Sequence, residues 1–500
     1  MNEKIRVGIV GGGIGGVFTG ALLSNQGYDV EIFDKNPILG GYCQAFKRKE
    51  NKIHPAVLRV GSQSCADMID EYCLQAGIGK LDWTTYTEYY QFGPDIKINQ
   101  CTPRIDLELA KYFPAEQENI EKFFAEVRDL YEIMNKVFEN NMTFKGLTGN
   151  DIKKYIPNIS KTAIQFVEEF FEDKLLIDGI LAMLELDDKS VALAIPMTYF
   201  EIKGQGEYFV PKGGAYAIIS KCVQLIERNG GKVHKNAVVT KITTENNRGK
   251  GLVVNGEEHQ YDVIISGVDI IKTYHDLIGA HHIENKEMLK RLKEKWKISK
   301  SSMAVWIGFD DTLENLGIER GSVICYPNEK RIREVRNIMQ KENEELPEDF
   351  WYQLFTAFST DEESTPKGKS QMCVGVLVPY NFQNKWGGKD GYQETKKEMV
   401  ERILAEVEKR YPKVKGHYEY VEAATPISYE RECWNSQGAY LGFEKYENFV
   451  YDRGRHQNQG LLDNLYFASH WVSIIGGVAG VMQECAKTLD LVVEKHPIKS

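Results

Sequence analysis

The chain has 500 residues, 42% apolar and 27% charged, a composition typical of a globular protein, and its length exceeds one ordinary core, so two intimately joined domains are expected. A net charge of −10 disfavours a nucleic-acid partner, which would need a basic face. No apolar run is long enough to span a bilayer, and the nearest, residues 175–184, is interrupted by Asp178.

The nine cysteines are scattered without a CxxC pair, which reads as reduced thiols with neither a disulfide frame nor a zinc site. The histidines are scattered too, and His281-His282 reads as a solvated pair in a loop, so no metal is expected. The first strand starts near residue 4 and leaves no room for a signal segment, so the expected location is cytoplasmic.

Residues 4–35 organise the rest. Ile5, Val7, Ile9 and Val10 are apolar and β-branched, and the run ends at Gly11, as expected of a buried parallel strand. Gly11-Gly12-Gly13-Ile14-Gly15-Gly16 follows, then a helical segment, then a second strand, residues 29–33, with Asp34-Lys35 at its end. Gly11 permits the tight turn, Gly13 lets backbone approach a pyrophosphate, and Gly16 lets helix pack on strand. The helix N-terminus offers unpaired N–H groups and the positive end of its dipole to phosphates. Asp34, about twenty residues on, is placed to accept hydrogen bonds from a ribose 2′-OH. The acid argues against a 2′-phosphate but does not separate FAD from NAD. Gly40-Gly41 just past the second strand lets a loop lie back over the cofactor.

Downstream, residues 46–52 read as a polar turn with Lys47, Arg48, Lys49 and Lys52, residues 57–62 as a short strand, and residues 66–76 as a helix. Short strands alternate through residues 86–107. A long helix opens near Pro114, with Ile120, Phe123, Phe124, Val127, Leu130, Tyr131 and Met134 at three- and four-residue spacing, and more helices follow to residue 183. This Phe-, Leu-, Ile- and Met-rich block reads as core on one face and as a lid over an apolar pocket on the other. Residues 208–216, with Pro211-Lys212-Gly213-Gly214, return the chain to the nucleotide fold, and four strands follow before residue 266. A second β region has strands at residues 302–309, 321–326, 350–358 and 371–378, and an amphipathic helix spans 396–411. Residues 465–470 form the last buried strand, and Gly476-Gly477-Val478-Ala479-Gly480 leads into a helix from Val481, a second helix N-terminus aimed at the cofactor. The fold class is therefore α/β: a Rossmann-like domain from residues 1–70, 205–295 and 430–500, with an inserted α+β substrate domain from 71–204 and 296–429.

The opening strand–turn–helix–strand–acid unit with Gly40-Gly41 resembles the FAD/NAD-linked reductase and amine-oxidase superfamily, with Asp34 where Glu is commoner. The further landmarks are Val210-Pro211-Lys212-Gly213-Gly214, Val238-Val239-Thr240-Lys241-Ile242, Ala424-Thr425-Pro426 with Gly438-Ala439-Tyr440-Leu441-Gly442, and the C-terminal glycine turn. With these the whole chain resembles a phytoene desaturase/carotenoid isomerase-type flavoprotein. The resemblance implies FAD, held by Gly11, Gly13, Ile14, Gly15, Gly16, Asp34, Lys35, Gly40 and Gly41, by the Val239 backbone at the adenine, and by Gly477 and Val478 beside the isoalloxazine. Three positions depart from the pattern: Ser469-His470 stands for Gly-Asp, Arg59 for an Asp, and Gln44 for a basic residue. His470 is accordingly read as a donor to the same cofactor oxygens or as a structural replacement.

The activity the resemblance implies is hydride transfer at flavin N5 to or from carbon–carbon double bonds of an apolar isoprenoid, carotenoid or retinoid-like substrate. Its direction stays open among desaturation, saturation and cis–trans isomerisation, with amine oxidation and the non-enzymatic escort of prenylated partners as alternatives. No acid–base dyad stands out. Tyr199, Glu201 and Tyr208 are weak candidates for reaching the pocket. An apolar substrate implies transient membrane contact, for which Lys153-Lys154-Tyr155-Ile156 is the candidate patch.

Overall fold

The structure, a computed structural model, describes residues 4–56, 60–140, 143–186, 188–203, 206–339, 346–444, 457–473 and 476–498. Residues 57–59 of the expected 57–62 strand, including Arg59, lie outside them.

Five short strands form an all-parallel sheet in the order Leu465–Phe467, Val263–Ser266, Arg6–Val10, Asp29–Phe33, Lys232–His234. Both faces are covered, so these strands are nearly all apolar: Val7, Ile9, Val30, Ile32, Val263 and Ile265 are fully buried. The helix Ile14–Asn25 packs on one face with the helices Tyr216–Arg228 and Gly477–Lys495. A three-stranded antiparallel sheet, Val239–Glu245, Arg248–Val254 and Glu257–Gln260, lies over the other side of the cleft, and its third strand was not apparent in the sequence because it is polar and mostly exposed.

The second large sheet has seven strands in the order Tyr418–Ala424, Ser301–Phe309, Ser370–Val378, Tyr352–Phe355, Ser322–Tyr326, Glu88–Phe92, Ile96–Asn99. Its pairings are antiparallel except that 322–326 runs parallel to 88–92. One face buries Met303, Val305, Ile307 and Phe309 against the helical segment ending at Arg410. On the other face the two halves differ. Tyr90, Phe92 and Ile324 lie under the helices Gln117–Glu139, Ala163–Glu168 and Lys174–Met183. Ala304, Trp306 and Phe355 face the nucleotide-binding part.

Two local expectations are corrected. Residues 46–53 are a β-hairpin, Phe46–Arg48 paired with Asn51–Ile53, and not a plain turn; its two inward residues, Asn51 and Ile53, are fully buried while the lysines point out. The C-terminal helix starts at Gly477 rather than Val481, so the glycine turn is its first turn. Gly476 (φ 76°) and Gly477 (φ 64°) take the left-handed backbone that lets the chain enter the helix there.

Candidate active site

The Arg6–Val10 strand has neighbours on both sides, and the crevice outside the carboxyl ends of such strands is where dinucleotides bind. A cleft of about 420 Å³ lies there. Gly11, Gly13, Ile14, Gly15, Asp34, Lys35, Gly40, Gly41, Val239 and His470 all border it. Gly477 and Val478 do not; they border a second cavity of about 170 Å³, which shares Ile14, Tyr42, His470 and Val481 with the first. Gly16 borders neither, because it is packed against the strand: a Cβ there would sit 2.0 Å from the Gly11 carbonyl oxygen.

The glycines divide into two physical kinds. Gly11 needs its left-handed backbone (φ 96°), and a Cβ on Gly15 would meet the Ala468 carbonyl oxygen at 1.7 Å. Both belong to the packing of helix on sheet. Gly13 is different. Its φ of −72° suits any residue, and among the described residues a Cβ would meet only the Gly40 carbonyl oxygen, at 3.9 Å. The space above Gly13 is open toward the cleft, at a helix start whose first intrahelical bond runs from Val17 N–H to the Gly13 carbonyl. The earlier N–H groups therefore have no acceptor in the helix, as a pyrophosphate requires.

Asp34 is held by backbone. Its Oδ2 accepts from Gly12 N–H and its Oδ1 from Asn36 N–H, both at 2.7 Å. Burial raises its pKa, opposed by those two amides and by Lys35. Each oxygen retains a lone pair for a ribose hydroxyl. Lys35 borders the cleft, but its Nζ donates to the Arg431 carbonyl at 2.6 Å, so it ties the 431–435 segment to the second strand. Gly40 N–H donates to the Gly12 carbonyl at 2.7 Å and bridges Gly13, which lays the Gly40-Gly41 loop beside the phosphate turn. Val239 opens its strand just before a register shift and borders the cleft.

His470 stands where cleft and second cavity meet. Its Nε2 is sealed from solvent and has no hydrogen-bond partner among the described residues, and burial lowers its pKa to about 4, so the imidazole is neutral near pH 7. Tyr42 stacks on it at 6.0 Å and is fixed by its hydroxyl, which donates to the Ala439 carbonyl at 3.0 Å. The open face of Gly13 and the amide-held Asp34 thus fit FAD. FAD supplies hydride chemistry when bound. Gly13 at the helix start would hold its phosphates and Asp34 its ribose, with the neutral His470 imidazole where cleft and cavity join. The C-terminal helix starts beside the same junction, and its dipole favours negative charge there.

Several bordering residues had no signature in the sequence. Tyr42 is one, although it directly follows Gly40-Gly41. Asn435 is another; its Oδ1 accepts from Trp471 Nε1 at 3.0 Å, while the next residue's N–H donates to the buried Asp269 Oδ2 at 2.6 Å. The candidates Tyr199 and Tyr208 do not border either space. Tyr199 packs beneath the helical block against Phe124, and Tyr208 is in the core beside Tyr86. The side chain of Glu201 lies outside the described set.

Comparison with known proteins agrees with this geometry. The family described as flavin containing amine oxidoreductase matches residues 14–485. The chain is 24% identical over 475 residues to an all-trans-retinol 13,14-reductase of Danio rerio, covering 88% of this chain and 78% of that one. It is 23% identical over 518 residues to a 4,4′-diapophytoene desaturase of Methylomonas sp, covering 100% and 97%. The fold is similar to the solved structure of an oxidoreductase from Methanosarcina mazei, with a TM-score of 0.65 at 15% identity and coverage of 97% and 100%. The site and these likenesses converge: the chain belongs to the flavin containing amine oxidoreductase family and is an FAD-dependent oxidoreductase.

Proposed function

We propose that this protein carries out redox chemistry at carbon–carbon double bonds of an apolar isoprenoid or polyene, by hydride transfer between substrate and flavin N5. The observation that carries the reading is the lining of the second cavity. Met303, Ala304, Trp351, Val376 and Leu377 form its walls, it joins the cofactor cleft at His470, and among the described lining residues there is no Asp, Glu, Lys or Arg. A charged amine would be desolvated there without a counter-ion, at a cost of several kcal/mol by the usual order of magnitude. A hydrocarbon chain loses nothing. The curated relatives named as a retinol reductase and a carotenoid desaturase support the same substrate class.

The test uses oxidised and pre-reduced protein, each incubated anaerobically with a polyene panel and an amine panel, while flavin absorbance and product mass are followed. We expect polyenes alone to exchange electrons with the flavin. Flavin reduction by amines only would overturn the reading. A two-mass-unit change would separate desaturation or saturation from isomerisation, which leaves mass unchanged.

Substrate access fits a bilayer surface. No helix among the described residues is long and apolar enough to cross a membrane. The helix Gly149–Ile159, started by a Thr148–Asp151 capping box, buries Tyr155 but leaves Ile152 and Ile156 outside, with Phe144 exposed nearby against Tyr155. Lys145 and Lys153 are exposed there, whereas Lys154 is tied to Glu126 and Asp129. Apolar residues ringed by lysine suit shallow insertion among anionic headgroups. Ile152→Glu with Ile156→Glu should abolish flotation with anionic vesicles at low salt while leaving FAD content unchanged. Equal flotation of variant and parent would refute this surface.

A further inference from the structure

The face of the seven-stranded sheet that looks toward the nucleotide-binding part carries two adjoining rows. Gln353, Gly375, Ala304 and Ala424 are direct cross-strand neighbours on four consecutive strands. After Gln353 the side chains in this row shrink to a hydrogen and two methyls. The neighbouring row, Phe355, Cys373, Trp306 and Glu422, is bulky at Phe355 and Trp306. The small row is therefore a trough across the strands, and Gln353 stands at its end. Gly375 has no conformational need to be glycine, and a Cβ there would meet no atom of the described residues within 4 Å. A glycine in a central strand with open space above it marks the close approach of another group.

The polar end of the trough is held from behind. Gln353 Nε2 donates to Ser322 Oγ at 2.9 Å, and Ser322 Oγ donates to Glu88 Oε2 at 3.0 Å. Glu88 and Ser322 are both fully buried. A serine hydroxyl has one proton. Because it goes to Glu88, Ser322 can only accept from Gln353, so the amide must present N–H to Ser322 and turn its oxygen away. Gln353 borders the second cavity, otherwise lined mostly by apolar and small residues. Three residues from three strands, far apart in sequence, thus fix the orientation of one amide at the end of an apolar trough.

We propose that Gln353 recognises a hydroxyl group on an otherwise apolar chain, so that the substrate class is a polyene or isoprenoid alcohol. This rests on the polyene reading above and narrows it. The amide oxygen accepts the hydroxyl proton, and the remaining amide N–H can donate to the same hydroxyl oxygen. A carbonyl end group engages only the N–H. A hydrocarbon engages neither and leaves a desolvated amide unpaired, the situation in which hydrogen-bonding sites discriminate best. Ser322 and Glu88 are positioning residues that act through Gln353.

The test is binding of one polyene skeleton as alcohol, aldehyde and hydrocarbon to the FAD-loaded protein, read by the shift in flavin absorbance. The parent protein should prefer alcohol over hydrocarbon by about tenfold or more, the worth of roughly one net hydrogen bond, with the aldehyde between. Gln353→Leu should bring the ratio to within about threefold, and Ser322→Ala, which frees the amide to turn, should lower it part of the way. The ratio of two ligands on one protein cancels any general loss of structure, and the parent series needs no variant. Equal binding of alcohol and hydrocarbon by the parent overturns the proposal, as does an unchanged ratio in Gln353→Leu. Binding of none of the three overturns the polyene reading itself.

Discussion

Gly13 and Gly15 stand two residues apart in one glycine turn, and the structure predicts opposite consequences for filling them. At Gly13 the backbone is ordinary and an added Cβ finds open space, 3.9 Å from the nearest atom. Gly13→Val should therefore leave the apo-protein nearly as stable as the parent, losing only the few tenths of a kcal/mol to about 1 kcal/mol that separate Gly from an apolar residue at a helix N-cap. Its branched side chain would fill the space where a pyrophosphate meets the helix start. Losing two charge-assisted hydrogen bonds of roughly 1.5–3 kcal/mol each would weaken FAD binding by about 10²- to 10⁴-fold. At Gly15 the added Cβ would lie 1.7 Å from the Ala468 carbonyl oxygen, which is backbone and belongs to the chain following the last parallel strand. Gly15→Ala must push helix from sheet, so it should cost stability at or above the upper end of the roughly 1–3 kcal/mol typical of overpacking. Denaturant unfolding of the apo-proteins and FAD titration by fluorescence quenching separate the two effects. Undiminished FAD affinity in Gly13→Val, or parental stability in Gly15→Ala, would refute the assignment of one glycine to the ligand and the other to packing.

Acidification supplies another prediction. Burial lowers the pKa of His470 to about 4 and of His54 to about 3, from an ordinary 6.5. The unfolded chain takes up these protons below about pH 6.5 while the folded one does not, so stability present above that pH is lost as pH falls through this window, by about 2 kcal/mol per histidine at pH 5. The buried Asp34 and Asp269, with raised pKa, act with the opposite sign. The measurement is therefore a difference: His54→Phe and His470→Phe apo-proteins should each show a flatter stability profile from pH 7.5 to 5 than the parent, and parallel profiles would contradict it. Gly375→Val should hold or raise stability, because a β-branched residue replaces glycine in a strand with room for it, yet weaken polyene binding about tenfold or more by filling the trough. Calorimetry and flavin-detected titration read the two halves, and unchanged affinity would show that the trough holds no ligand.

What the sequence determined by itself was the part written in local, contiguous signals. The alternation of a β-branched run, a Gly-x-Gly-x-x-Gly turn, a helix and Asp34 needs only some thirty consecutive residues, and each carries its own backbone or packing requirement. The long strands 301–309 and 370–378 were legible for the same reason, being free of polar residues from Met303 and from Met372 onward. The hairpin at 46–53 was obscured because its outward residues are charged and only Asn51 and Ile53 point inward. The start of the C-terminal helix was misplaced because glycine has poor helix propensity, whereas tertiary packing buries Gly480 within it.

Tertiary structure alone decided where the site's chemistry lies. Nothing near Tyr199 or Tyr208 tells that they turn into core, or that His470 stands with a sealed Nε2 where two cavities meet. Glu88, Ser322 and Gln353 come together only through the parallel pairing of 88–92 with 322–326 and the antiparallel pairing of 322–326 with 352–355. Those registers are set by which face each strand must bury, and a slip of one residue would send Gln353 to the opposite face of the sheet. Burial is a property of the whole assembled core, so the sequence announces the cofactor turn while only the folded sheet shows which side chains line the second cavity.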